Sequence, residues 1–223
     1  MQKKTTNKLI FYKILLILLI TALVIIVFLI IRKYTMQEQV EEENEQIVSQ
    51  FNEFLEEKSQ NENEQNVYEQ SIIDNENVIS ENEKNFDLLE FKGFKVIGLI
   101  KIPAINLEYP ILEETTKETM KVSISRYWGG DINSYGNVSL AGHNNRVTLT
   151  MFGKNKNLKN GDKIFLTDLL GNTVEYQIYD TFITNPNDVT VLQTKDKNIR
   201  EVTLITCSNG HVNRLINKAR EIK

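Results

Sequence analysis

Three side chains suited to acyl transfer lie in the C-terminal half of the sequence. Cys207 ends the run EVTLITC, His143 ends the apolar run VSLAGH, and Arg214 opens the run RLINKARE. A thiolate is a strong nucleophile, an imidazole can donate a proton to a leaving amine, and a guanidinium can hold a carbonyl or a developing oxyanion. Polar side chains at the ends of strands are held in position by the sheet, while the adjoining loop leaves room for substrate. The three residue types therefore indicate cysteine-dependent acyl transfer.

Residue type alone leaves another interpretation open for each of these residues. A lone cysteine in an apolar strand is more often buried and inert than catalytic, and a lone histidine or arginine at a strand end is usually at the surface. His211, Arg126, Arg146 and Arg220 are rivals for the same roles. A metal is not expected, because two histidines and one cysteine lack the closely paired ligands of a zinc site.

The N-terminal residues 1–35 predict a cytoplasmic tail and a transmembrane signal anchor. Residues 14–31 have Thr21 as their only polar side chain, and at ~1.5 Å per residue a helix of this length just crosses a bilayer core. A cleaved signal peptide is the alternative, but the run exceeds an h-region of ~7–15 residues and no small-x-small site follows it. Four lysines before the run predict a cytoplasmic N-terminus, although Arg32 and Lys33 weaken the charge difference. We expect a single-pass protein of the cell membrane whose remaining chain is extracellular.

Residues 36–85 carry fifteen acidic and two basic side chains and are interpreted as an extracellular stalk. The apolar residues of 38–60 fall largely at helical spacings, which predicts a solvated helix. Residues 61–85 are polar and poor in large apolar side chains, which is typical of a disordered segment. We therefore predict a stalk that is part helical and part disordered. A partner-binding or regulatory segment is the alternative.

Residues 86–223 predict a mostly β domain of seven or eight short strands separated by turns. One such turn lies at Gly171 and Asn172, and short helices are expected near residues 115–125 and 148–158. Many strands with few helices favour a closed barrel or a sandwich. This part carries eighteen basic and fifteen acidic residues without a stripe of Lys and Arg, so no nucleic-acid partner is expected.

These motifs together resemble the sortases, the membrane-anchored cysteine transpeptidases of Gram-positive bacteria. TLITC looks like the TLxTC signature that ends in the family's nucleophile, LAGH carries its histidine, and RLINKA carries its arginine. The resemblance covers about residues 90–223 and implies an eight-stranded sortase-type β-barrel with short helices, preceded by the anchor and the stalk. The short connection over residues 184–200 and the short loop between Cys207 and Arg214 are most like class D; classes A and B are less similar.

The resemblance also implies a role for each residue. Cys207 would attack the Thr–Gly-type bond of an LPxTG-like sorting signal on a secreted protein and form a thioacyl enzyme. His143 would protonate the leaving amine and later deprotonate the amine of a peptidoglycan precursor or cross-bridge. Arg214 would stabilise the oxyanion, and Thr206 and Ala141 are candidates for substrate contact. No cofactor is expected for this chemistry.

Two other functions are weighed against this one. An L,D-transpeptidase would also use a thiol, but such enzymes carry a His-Gly-Cys-type signature that LITCSNG does not match. A membrane-tethered, non-catalytic β-domain that binds a partner is the other alternative. It predicts that Cys207 is unreactive and that its substitution has no effect.

Overall fold

A computed structural model describes residues 2–71, 89–145, 148–194, 196–208, 210 and 212–222. The chain divides into two compact units, Met1–Glu43 and Asn44–Lys223. Helix α1 spans Gln2–Ser71, and its first part forms the first unit. Its Phe11–Thr35 segment is apolar and long enough to cross a bilayer, and its large apolar side chains are exposed, as those of a lipid-facing helix are. The cytoplasmic position of the N-terminus stays a prediction.

Nine strands and a few short helical turns make up most of the second unit. The strands are β1 (Glu90–Phe91), β2 (Phe94–Ile102), β3 (Leu107–Leu112), β4 (Ile124–Trp128), β5 (Gly136–Ala141), β6 (Lys163–Asp168), β7 (Thr173–Thr184), β8 (Arg200–Ser208) and β9 (Asn213–Glu221). The helical turns are α2 (Thr119–Val122) and the 3-10 helices Pro103–Ile105, Phe152–Asn157 and Val189–Leu192. The predicted short helices near 115–125 and 148–158 correspond to α2 and the Phe152–Asn157 turn.

Strands β2 to β9 form a closed eight-stranded barrel. They pair in the order β2, β3, β4, β5, β8, β9, β7, β6, and the pairing of β6 with β2 completes the ring. The β3–β4 and β5–β8 pairs are parallel and the others are antiparallel. Closure removes the free sheet edges at which other chains could pair. The mostly β, eight-stranded barrel predicted from the sequence is therefore confirmed, with β1 as a short addition to β2.

Strands β5 and β8 are covered on both faces, so the polar residues that alternate with their apolar ones are also buried and are hydrogen-bonded. Val138, Leu140 and Leu204 lie in the main core. On the other face Asn137 donates its Nδ2 to the carbonyl of Leu192 at 2.9 Å and accepts from Thr203 Oγ1 at 2.8 Å. These bonds fasten the segment before β8 onto the outer face of the barrel, close to the strand that carries Cys207.

The second unit also contains the part of α1 that begins at Asn44, and this part packs against the barrel. Phe51 is fully buried in a second apolar cluster with Val96, Leu99 and Leu112. The sequence analysis did not predict this packing, because the helical pattern of 38–60 looked solvated. The predicted boundaries of 1–35, 36–85 and 86–223 stay predictions, and much of the proposed disordered stalk lies outside the described residues.

Two polar contacts fix the same stretch of α1 at both ends. Asn44 donates its Nδ2 to the carbonyl of Glu108 at 2.6 Å, and Lys58 donates its Nζ to the carbonyl of Leu169 at 3.2 Å. Glu108 lies in β3, and Leu169 follows β6. Apolar contact is non-directional, so these two hydrogen bonds fix how this stretch of α1 is oriented on the barrel.

Candidate active site

Cys207 and Arg214 occupy paired positions on neighbouring strands. The antiparallel β8–β9 register places Cys207 opposite Arg214, and both residues are partly buried. Side chains directly opposite each other in such a pair have Cβ atoms about 4.5–5.5 Å apart and lie on the same face of the sheet. Cys207 is a free thiol. The strand register thus brings the predicted nucleophile and the predicted oxyanion-binding residue together.

His143 follows β5, the parallel neighbour of β8. The paired register ends at Ala141 and Ile205, and two further bonds extend the contact. Gly142 donates its backbone N–H to the carbonyl of Ile205 at 3.2 Å, and Thr206 donates its hydroxyl to the carbonyl of Gly142 at 2.7 Å. Because parallel strands advance in step, the residue after Gly142 comes level with the residue after Thr206. The backbone of His143 is thereby brought beside that of Cys207.

The residue after His143 makes a further contact with Cys207. Asn144 donates its Nδ2 to the carbonyl oxygen of Cys207 at 2.6 Å. The carbonyl of His143 itself accepts from the N–H of Phe152 at 3.1 Å, and the His143 side chain is exposed. The histidine is therefore held by its backbone while its imidazole faces solvent. Sequence reasoning missed Asn144, for which the only local signal was its position after the histidine.

A groove of about 220 Å³ opens on the outer face of the barrel beside these residues. Cys207, Arg214 and both predicted contact residues, Thr206 and Ala141, line it; His143 is not among its described lining residues. The connection between β7 and β8 forms one wall through Val189, Val191 and Leu192, and Met120 and Tyr127 add further apolar surface. The groove therefore offers an apolar surface with the thiol and the guanidinium on its wall.

Asp188 adds a negative charge to the wall of this groove. Hydrogen bonds from Thr184, whose hydroxyl lies 2.6 Å from Oδ2, and from Thr190 hold the pKa of Asp188 below its ordinary value. Thr184 is also the cross-strand partner of Arg214 in the β7–β9 register. The groove therefore carries a cation and an anion on neighbouring parts of its wall.

The rival residues occupy other places. Arg220 donates to Glu201 at 3.0 Å and its guanidinium lies 4.9 Å from the ring centre of Tyr179, away from the groove. Arg126 donates to Asp131 at 3.1 Å. The other two rivals, at positions 146 and 211, lie outside the described residues. Among the described arginines, Arg214 is the one that lines the groove.

A metal site is not formed by the described part of the chain. No group of three or more His, Cys, Asp or Glu side chains there is arranged to hold a metal ion. What the described site does offer is a thiol and a guanidinium on the groove wall, and a histidine whose backbone lies beside that of Cys207 and whose imidazole is exposed. These are the groups required for nucleophilic attack, oxyanion stabilisation and proton transfer.

Comparison with known proteins gives consistent matches. A family model described as the sortase domain matches residues 100–222, from β2 to the end of β9. Sortase A of Bacillus anthracis is 34% identical over 113 residues, which cover 51% of this chain and 52% of the relative. Sortase A of Listeria monocytogenes serovar 1/2a is also 34% identical over 113 residues, which cover 50% of this chain and 49% of the relative. The chain thus spans about half the length of the curated relatives it matches.

Solved structures show the same fold. Sortase A from Corynebacterium diphtheriae aligns with a TM-score of 0.54 and 26% identity over 58% of this chain and 62% of that one. A Clostridium perfringens Sortase D5 transpeptidase aligns with a TM-score of 0.54 and 33% identity over 65% of this chain and 89% of that one. Listeria monocytogenes sortase A aligns with a TM-score of 0.52 and 29% identity over 57% and 88%.

Proposed function

This chain belongs to the sortase family, and from that premise we propose that it is a cysteine transpeptidase. It cleaves an LPxTG-like C-terminal sorting signal on secreted proteins and transfers them to an amine of peptidoglycan. The observation that carries the proposal is the pairing of Cys207 with Arg214 on the wall of a groove, with the backbone of His143 held beside Cys207. This arrangement supports a common role for residue types that sequence alone leaves ambiguous.

In the first half of the reaction the thiolate of Cys207 attacks the carbonyl carbon of the residue before the cleaved bond. A C–S bond forms, and the tetrahedral intermediate collapses with loss of the C–N bond. His143 gives a proton to the departing amine, which would otherwise be a poor leaving group. Arg214 faces the thiol across the strand pair and stabilises the oxyanion, an interaction usually worth several kcal/mol.

In the second half an amine from a peptidoglycan precursor or cross-bridge attacks the thioacyl carbonyl. His143 takes the proton from this amine, the new C–N bond forms, and the C–S bond breaks to return the thiolate. His143 thus acts as the acid in the first half and as the base in the second, and the enzyme returns to its starting protonation state. The reaction requires no cofactor.

The groove supplies the surface for the sorting signal. Its apolar wall suits the leucine and proline side chains of an LPxTG-like peptide, since burial of apolar surface favours binding. Ala141 contributes to this wall. Thr206 has its hydroxyl engaged with the carbonyl of Gly142, so its contribution to substrate binding is through its backbone.

The class and the cellular position follow from the same proposal. Class D is favoured by the short connection between β7 and β8 and is supported by the 33% identity to a class D transpeptidase. We place the protein in the cell membrane as a single-pass protein with a cytoplasmic N-terminus. The barrel is extracellular, where secreted proteins and peptidoglycan amines are found.

Peptide cleavage by the full-length chain in detergent micelles tests the proposal. The substrates are quenched LPxTG-like peptides with amine acceptors, and products are identified by mass spectrometry. We expect an amide product from the wild type, none from Cys207→Ala, and a loss of at least about 100-fold in Arg214→Ala or His143→Ala. Arg220→Ala is the matched control, because this arginine lies on the same strand but outside the groove.

One result would favour the non-catalytic alternative instead. If no peptide is cleaved and the wild-type thiol also resists a thiol-reactive probe in the folded protein, Cys207 is an inert core residue. The chain would then be a membrane-tethered β-domain that binds a partner.

A further inference from the structure

We propose that Asn144 is a positioning residue that fixes His143 beside Cys207. This inference deepens the proposed function and rests on it. Asn144 does not take part in bond making or breaking. Its side chain ties the segment that carries the acid and base to the backbone of the nucleophile.

The hydrogen bond from Asn144 ends on the backbone of Cys207, the proposed nucleophile. The Nδ2 of Asn144 lies 2.6 Å from the carbonyl oxygen of Cys207, and this bond joins positions 63 residues apart in the sequence. The Oδ1 of the same amide is buried and has no hydrogen-bond partner among the described residues. A buried polar atom without a partner lowers stability. Only one of the two polar groups of this amide is therefore hydrogen-bonded. We expect such an arrangement where the position of a functional residue outweighs the loss of stability.

Other hydrogen bonds hold the segment before and at His143, and the bond from Asn144 holds it after His143. The Phe152 N–H bonds the carbonyl of His143 at 3.1 Å, and Thr206 bonds the carbonyl of Gly142 at 2.7 Å. These bonds fix the backbone on the side that precedes and includes His143. The bond from Asn144 acts after His143 and ends on residue 207 itself. The histidine is thus held from both sides, and removal of the Asn144 amide leaves the later side held only by backbone contacts such as the bridge to Met151.

Two described residues after Asn144 have a strained backbone conformation. Leu149 and Met151 have positive φ angles of 59° and 49°, a region that residues other than glycine rarely adopt. Met151 pairs with Asn144 in an isolated β-bridge, so this backbone is joined to the same residue. Such conformations persist only where surrounding contacts enforce them. We therefore expect the loop and His143 to shift when the amide is lost.

Alkylation of Cys207 by iodoacetamide tests this coupling without any substrate. The full-length chain in detergent micelles is compared as wild type, Asn144→Ala, His143→Ala and the double variant. We expect His143→Ala to change the alkylation rate and Asn144→Ala to change it in the same direction by at least about 3-fold. In the double-mutant cycle Asn144→Ala should have no further effect once His143 is gone, because its action passes through His143.

Two further variants separate positioning from general damage. Asn144→Leu keeps roughly the size of the side chain and adds no charge, but it has no N–H to donate, so it should behave like Asn144→Ala. Thr148→Ala is the matched control, since the Thr148 hydroxyl bonds Thr150 at 2.8 Å within the same loop and does not reach β8. In peptide cleavage Asn144→Ala should lower kcat by about 10-fold to 100-fold and leave KM nearly unchanged, as misplacement of a catalytic group does.

The proposal is overturned if Asn144→Ala alters alkylation equally with and without His143, or if Thr148→Ala has the same effect. It is also overturned if Asn144→Leu matches the wild type, since the donor would then be dispensable. If the alkylation coupling appears but no peptide is cleaved, the positioning role stands and the proposed transpeptidase function fails. The two conclusions are therefore tested separately.

Discussion

Cys207 and Arg214 are close in the sequence, but their relation in the structure depends on register. A shift of one residue between β8 and β9 would turn one of them to the other face of the sheet. Eight paired positions from Glu201 to Ser208 fix the register. His143 depends instead on a parallel neighbour far away in the sequence, and on the residues that flank it. At the residue scale, the geometry of the candidate site therefore also depends on Gly142 and Asn144.

Gly142→Ala is expected to disturb the site through packing. A Cβ at position 142 would lie 2.7 Å from Cδ2 of Phe152, a ring that is fully buried. Either the ring or the backbone before His143 must move, so we expect a loss of about 1–3 kcal/mol in the free energy of unfolding together with reduced peptide cleavage. Urea unfolding and the cleavage assay measure the two effects. Phe152→Leu in the same chain should recover part of the loss; strictly additive losses would contradict this mechanism.

Glu201→Gln tests a carboxylate on the strand of the nucleophile. Glu201 is 3% exposed. Burial acts to raise its pKa, but hydrogen bonds from Thr194, Arg220 and Tyr179 outweigh burial and hold the pKa below the ordinary 4.5. A lowered folded pKa adds stability above the unfolded pKa, which is lost as pH falls through the folded pKa.

At pH 7 we therefore expect Glu201→Gln to lower the free energy of unfolding by about 1–2 kcal/mol. The difference from wild type should shrink as the pH falls below 4.5. Urea unfolding over this pH range measures it. A difference that stays constant with pH would show that the charge on Glu201 is not its source.

At the scale of the elements, the connection between β7 and β8 builds the groove. Its Val189–Leu192 turn was not predicted, and neither was the Pro103–Ile105 turn, whereas α2 and the Phe152–Asn157 turn were. The turn begins at Asp188, whose side chain accepts from the Thr190 N–H, as the capping residue of a helical turn does. Its apolar residues then cover β5 and β8. A short connection without regular periodicity thus supplies one wall of the site.

Phe51→Ala tests the packing of α1 on the barrel. Phe51 is fully buried against Val96, Leu99 and Leu112, so truncation should lower the free energy of unfolding by about 3 kcal/mol. Thermal or urea unfolding of the full-length chain measures the change. Gln50→Ala, on the exposed side of the same helix, is the control and should stay within about 0.5 kcal/mol of the wild type. Equal stability of Phe51→Ala and wild type would show that the helix does not dock.

At the scale of the whole molecule, the two units face different solvents under the proposed function. Apolar side chains surround Phe11–Thr35, as lipid requires, whereas the second unit buries its apolar residues in two clusters. Under this proposal the barrel would meet secreted proteins as they leave the cell. The orientation of the anchor decides whether the barrel is on the side where its substrates are found.

Labelling of introduced cysteines tests this orientation. In a Cys207→Ala chain, Gln60→Cys should react with a membrane-impermeant maleimide on intact protoplasts. Thr5→Cys should react only after permeabilisation, because the lysines that precede the apolar run predict a cytoplasmic N-terminus. The chain without cysteine is the control. Labelling of Thr5→Cys on intact protoplasts would reverse the proposed topology.

The sequence by itself determined the features that depend on local composition and pattern. The apolar run of the anchor, the β-rich domain and the reactive residue types Cys207, His143 and Arg214 were all visible there, because length and alternation are properties of short segments. The motifs around these residues also pointed to the family that the comparisons confirmed.

Only the tertiary structure decided how distant segments meet. The cross-strand pairing of Cys207 with Arg214, the bond from Asn144 to the nucleophile and the groove wall at Val189 depend on register and loop packing. The burial of Phe51 was not predicted. Its partners lie more than 40 residues away in the sequence, and the helical pattern around Phe51 does not show where their strands lie. Such contacts stabilise the protein only once the barrel has closed, so they cannot be predicted from the sequence of any single segment.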